Sequence, residues 1–148
     1  MQKVLDKSIY DKIKLLCADG DGLMERNEFQ QALTKYNAAL KLVPDPFAMW
    51  EAATWIFVAI GDAHFQSGNM NDAYTAFCKA TNCPNGIGNP FIHLRLGEIQ
   101  FELGNGILAA DELARAYMSG GSKIFAGEPE KYFDLVKQKL KEPPNGWT

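Results

Sequence analysis

The sequence has no apolar run long enough to cross a membrane. Its most hydrophobic stretch, Ala52 to Ile60, falls far short of the ~20 residues a spanning helix needs. Basic residues are in deficit, with a formal net charge of -3, which excludes the basic stripe of a general nucleic-acid binder. Histidine is rare. His64 and His93 fall on different expected helices, with no cysteine or carboxylate at metal-ligand spacing, and both read as packed side chains. No glycine-rich phosphate loop follows a strand and no Gly-x-Ser-x-Gly occurs, so no cofactor and no enzyme chemistry are expected. The three cysteines, Cys17, Cys78 and Cys83, cannot all pair, and the first residues lack the apolar segment of a secretory leader. Buried thiols in a cytoplasmic protein are the expectation.

What is present is a soluble globular composition, 47% hydrophobic and 22% charged, in 148 residues, read as one domain over 1–148. The middle is acidic: residues 41–120 carry Lys41, Lys79, Arg95 and Arg115 against eight acids, or -4, leaving the two ends together at +1. Apolar spacing is helical throughout and no segment alternates as a strand does. Breaks at "SGNMND", "NCPNGIGNP", "GNG" and "SGGS", with Asp45-Pro46, Asn89-Pro90 and Glu128-Pro129 as helix starts, predict helices over about 8–26, 28–43, 46–67, 70–82, 90–103, 107–119 and 128–141.

Aligning Gly20, Gly61 and Gly97 brings three segments into phase without gaps. Twelve residues on come Ala32, Ala73 and Ala109; sixteen on, Tyr36, Phe77 and Leu113; nineteen on, Ala39, Ala80 and Ala116. The chain turns seven residues after each glycine, at Asn27, Gly68 and Gly104. Small residues would let paired helices approach closely, with the large residue filling space in the next layer.

This pattern resembles the tetratricopeptide repeat, most clearly in Phe57-x2-Ile60-Gly61-x2-His64, Ala73-x3-Phe77, Ala80 and Pro84. The resemblance implies an all-α fold: three antiparallel helix pairs (about 8–44, 46–84 and 89–120) stacked in a right-handed superhelix, with a capping helix over about 128–141. The spacing of 41 from Gly20 to Gly61, against 36 from Gly61 to Gly97, places an extra turn, "DPFAMWEA", at the start of the third helix.

In such folds the first helix of each pair lines a concave groove with offsets -6, -3, +1 and +4 from the glycine. The resemblance thereby assigns partner contacts to Asp21, Met24, Trp55, Val58, Asp62, Phe65, Phe91, Leu94, Glu98 and Phe101, with Lys14 and Cys17 on the same stripe. An acid follows every repeat glycine (Asp21, Asp62, Glu98), giving an aromatic floor crossed by a carboxylate row that would favour a basic protein partner. The alternative is that these acids pair locally, Glu98 with Arg95, and that the aromatics pack on the capping helix.

The phrases "WEAATWIFVAIGDAHF", "GNPFIHLRLGEIQFELG", "AADELARAYMSGGSKIF", "KYFDLVK" and "PPNGW" are similar to a small bacterial tetratricopeptide family. That likeness implies an immunity protein neutralising a basic toxin. A cytosolic chaperone holding an apolar segment of a secreted translocator is the second expectation, and a scaffold whose groove is filled by its own C-terminal helix the third.

One stretch competes with this reading. "CADGDGLMERNEF" places Asp19, Asp21, Gly22 and Glu28 where a calcium-binding EF-hand loop would have them. The first loop place, however, is Cys17, no second loop exists to pair with it, and the repeat frame accounts for Gly20, Asn27 and Phe29. Calorimetric titration should therefore give no micromolar Ca²⁺ binding. Binding that is lost when Asp19 and Asp21 are both changed to Asn would restore the EF-hand.

Overall fold

The computed structural model describes residues 4–148. Among them lie seven α-helices and no strand: α1 (Lys7–Glu25), α2 (Phe29–Leu42), α3 (Glu51–Gln66), α4 (Met70–Thr81), α5 (Pro90–Glu102), α6 (Gly106–Gly120) and α7 (Glu130–Lys139). No helix is long and apolar enough to cross a membrane. Helix ends match the sequence expectation within a few residues except at α3. There Pro46 and Trp50 are extended (ψ 128° at both), and Phe47–Met49 forms a separate 3₁₀ turn. Trp50 donates its indole N–H to the Pro44 carbonyl at 2.9 Å. The five additional residues thus make a turn of their own and not an extension of α3, and Asp45-Pro46 is not a helix start.

Each helix pair closes in the same way. The N–H of Glu28, Asn69 and Asn105 donates to the carbonyl of Leu23, His64 and Gln100, and the N–H of Asn27, Gly68 and Gly104 to that of Met24, Phe65 and Phe101. These two bonds form a Schellman motif, which needs a left-handed residue just past the helix end. Asn27 (φ 59°), Gly68 (φ 86°) and Gly104 (φ 87°) supply it, asparagine being the residue other than glycine that adopts this region most readily.

The repeat glycines are small because the next helix lies against them. A Cβ at Gly20 would stand 2.5 Å from the Tyr36 ring, at Gly61 2.8 Å from Phe77, and at Gly97 2.6 Å from Leu113. The large residue at +16 therefore sits on the glycine of its own pair, a correction to the expectation that it fills the next layer. Ala32, Ala39, Ala73, Ala80, Ala109 and Ala116 are all fully buried around these contacts. Burying one such large side chain contributes roughly 1.5–3 kcal/mol. The stretch resembling a calcium loop is resolved here as well: Cys17 to Glu25 is the last part of α1, with Gly20 under Tyr36. A helix cannot wrap its carboxylates around an ion as that loop does.

The described residues group into two compact units that divide after Ile87. The first holds the pairs α1/α2 and α3/α4. The second holds α5/α6 and the capping segment, whose Phe125, Tyr132 and Val136 form a core with Leu94, Leu113 and Ala116. Gly97→Ala should overpack Leu113 and cost roughly 1–3 kcal/mol in denaturant unfolding. Gly106→Ala, whose added methyl meets nothing within 4 Å, should be neutral or stabilising. Equal effects from the two changes would contradict the glycine contact.

Candidate partner-binding face

In the first unit the inner stripe stays accessible. Lys14 and Asp21 are exposed, Cys17 and Met24 half-buried, Trp55 is 40% exposed, and Val58, Asp62 and Phe65 are half-buried. Trp55 meets the edge of Tyr10 at 5.9 Å between ring centres, and the Lys14 ammonium lies 4.8 Å over the Tyr10 ring. Beside this pair opens a cavity of about 360 Å³ lined by Leu5, Lys7, Tyr10, Met49, Trp50 and Trp55, among others. Sequence reasoning missed Tyr10, Met49 and Trp50. Extending the stripe one turn back from Lys14 would have marked Tyr10, whereas Met49 and Trp50 belong to the unforeseen turn before α3.

Asp21 does not simply face outward. Its Oδ1 accepts the Tyr36 hydroxyl at 2.6 Å, so the carboxylate also serves the seam between α1 and α2. Burial, reinforced by that bond, holds the Tyr36 phenol well above its ordinary range. The neighbouring Cys17 thiol is pushed up to about 11, chiefly by burial and then by Asp21, which makes it a packed thiol and a poor nucleophile.

In the second unit the same stripe is turned inward. Leu94 belongs to the core under α7, and Phe91 and Phe101 pack against it. Phe101 meets Tyr132 edge-on at 5.4 Å, and Tyr132 donates its hydroxyl to Glu102 at 2.6 Å. Lys131 joins the same Glu102 at 2.9 Å. Glu98, expected at the surface of a groove, is 0% exposed. Arg95 donates to Glu98 at 2.6 Å and to Glu128, just ahead of α7, at 2.9 Å. One guanidinium thus serves two carboxylates. Burial first, then the hydrogen bond with Glu128, raises the Glu98 carboxyl from about 4.5 to about 8, against the opposing pull of Arg95. The local pairing of Glu98 with Arg95, weighed above as an alternative, is what the second unit contains, and the continuous carboxylate row is interrupted there.

The histidines serve packing and loops. His93 Nε2 accepts the Gly88 N–H at 3.2 Å, which leaves the proton on Nδ1 to be donated to Glu112 at 2.6 Å. His64 is half-buried, with an Nδ1 that has no partner. Among the described residues no three His, Cys, Asp or Glu side chains come together as a metal site would require.

No family model matches the chain, and no curated protein matches it by sequence. Solved structures do. The Yersinia enterocolitica type III secretion chaperone SycD, in complex with a peptide of the translocator YopD, superposes with a TM-score of 0.69 over 86% of this chain and 92% of its own, at 14% identity. MamA protein gives 0.64 over 87% of this chain and 64% of its own, at 19% identity. The chain has the tetratricopeptide-like helical-repeat fold.

The buried triad has a measurable signature. With its carboxyl raised to about 8, Glu98 should hold in the folded protein a proton that the unfolded chain releases above pH 4.5, so stability should fall as pH rises through that window. The slope from one group is at most about 1.4 kcal/mol per pH unit. Glu98→Gln should flatten this dependence in urea unfolding and be at least as stable as the wild type at about pH 9. An unchanged slope would contradict the protonated carboxyl.

Proposed function

We propose that the chain is a non-catalytic protein-binding module that holds an apolar segment of its partner on the inner face of the first unit. The observation that carries this reading is the open aromatic site there. Trp55 remains 40% exposed beside the 360 Å³ cavity, while the matching stripe of the second unit is occupied by the chain's own capping segment. A large aromatic held at the lip of an apolar cavity is the usual anchor of a protein interface. The Yersinia chaperone, with its bound translocator peptide, supports the reading by analogy of fold. The partner residues proposed are Met24, Trp55, Val58 and Phe65, with Asp21 and Asp62 at their margin. An odd count of three cysteines suits work in the cytoplasm.

Capture of a basic toxin by an immunity protein is the competing reading. It needs carboxylates at the surface, and of its three acids Glu98 has no exposed area and Asp21 is shared with Tyr36. Asp21 and Asp62 remain to carry it.

Partner affinity of the full chain separates the two. Trp55→Ala and Val58→Asp should each weaken binding by about tenfold or more while the protein stays folded by circular dichroism. Raising salt from about 0.05 to 0.5 M should change apolar capture by less than about threefold, whereas a steep loss would favour electrostatic capture of a basic partner. Full binding by both variants would overturn the apolar face.

A further inference from the structure

The open face of the first unit is electrically ordered along α1. The α1 stripe carries two charges, Lys14 and Asp21, seven residues apart, or about 10 Å along a helix, and Asp62 adds a third to the face from α3. Lys14 stands over Tyr10, which lines the cavity, and has no carboxylate partner among the described residues. Of the other charges near the cavity, Asp6 accepts the Ser8 N–H, Lys7 lines the cavity while paired with Asp11 at 2.9 Å, and Glu51 lines it from the first turn of α3, where the helix dipole favours a carboxylate. Asp21, two turns on, is exposed and held in place by the Tyr36 hydroxyl. The cavity, at about 360 Å³, is at the small end for a ligand site and accommodates one or two side chains better than a whole cofactor.

We infer that this face reads charge order in an extended peptide: a large apolar side chain enters the cavity, a carboxylate next to it meets Lys14, and a basic side chain about three residues further on meets Asp21. The spacing follows from the rise of an extended chain, about 3.3 Å per residue, over the separation of the two charges. This inference rests on the protein-binding reading above and specifies its ligand. Both charged pairs are exposed and individually weak, so they set preference and register while the apolar anchor supplies most of the affinity.

The test uses the full chain and three fluorescent dodecapeptides with the same apolar residues around one Phe. The first has Glu beside the Phe and Arg about three residues on; the second has those two exchanged; the third has Gln at both places. At low salt the first should bind about fivefold or more tighter than the second, with the neutral peptide between them, because two exposed pairs change sign. The difference should shrink below about twofold at half-molar salt. In the double variant Lys14→Gln, Asp21→Asn, which keeps an acceptor for Tyr36, the three should bind alike. Equal binding of all three by the wild type, or preference for the exchanged order, overturns the charge reading and leaves the apolar site standing. If none of them binds, both fail.

Discussion

Everything in this fold is set by a glycine lying beneath a large side chain of the next helix. Tyr36 over Gly20, Phe77 over Gly61 and Leu113 over Gly97 are the same contact made three times. Because a methyl group at any of the glycines would collide with the ring or branch above it, the helix separation is fixed to within a fraction of an ångström. The alanines at +12 and +19 extend that close approach along each pair, and the left-handed residue at +7 turns the chain back at the right distance. Which residues face inward follows directly: with glycine committed to the seam, offsets -6, -3, +1 and +4 come to lie on another side of the first helix.

The same frame is used in two ways. In the first unit the stripe keeps Trp55 and its cavity in contact with solvent. In the second, residues of the capping segment take the corresponding places, and the decisive substitution is Arg95, two residues before Gly97, where the second repeat has Ala59. A guanidinium there can bridge Glu98 to Glu128 and fasten the start of the cap, work that an alanine cannot do. Tyr132 and Lys131 on Glu102 add a second fastening. The stripe of the second unit is covered by its own chain, and the first unit keeps the surface on which a partner is proposed to lie.

The repeat phase was legible because glycine, alanine and large apolar residues recur at fixed offsets, and packing admits few substitutes at those places. Helix ends were legible at Asn89-Pro90, whose asparagine side chain caps α5, and at the three turns. The turn before α3 was not. Proline is compatible both with a first helical turn and with extended backbone, and nothing local decides between them. The stripe was legible as a stripe, but its fate was not, since spacing places Glu98 on a face without stating what covers that face. The bond between Asp21 and Tyr36 joins residues fifteen apart and follows only from the paired-helix geometry.

The central claim is that the first unit offers an open face and the second a closed one. It is tested most directly by placing a photo-crosslinking phenylalanine analogue at Val58 in one variant and at Phe101 in another, and irradiating each in its native cell. The account predicts an adduct with a separate polypeptide from Val58, and from Phe101 only links within the chain, to the segment around Tyr132. A partner adduct from Phe101, with none from Val58, would contradict it.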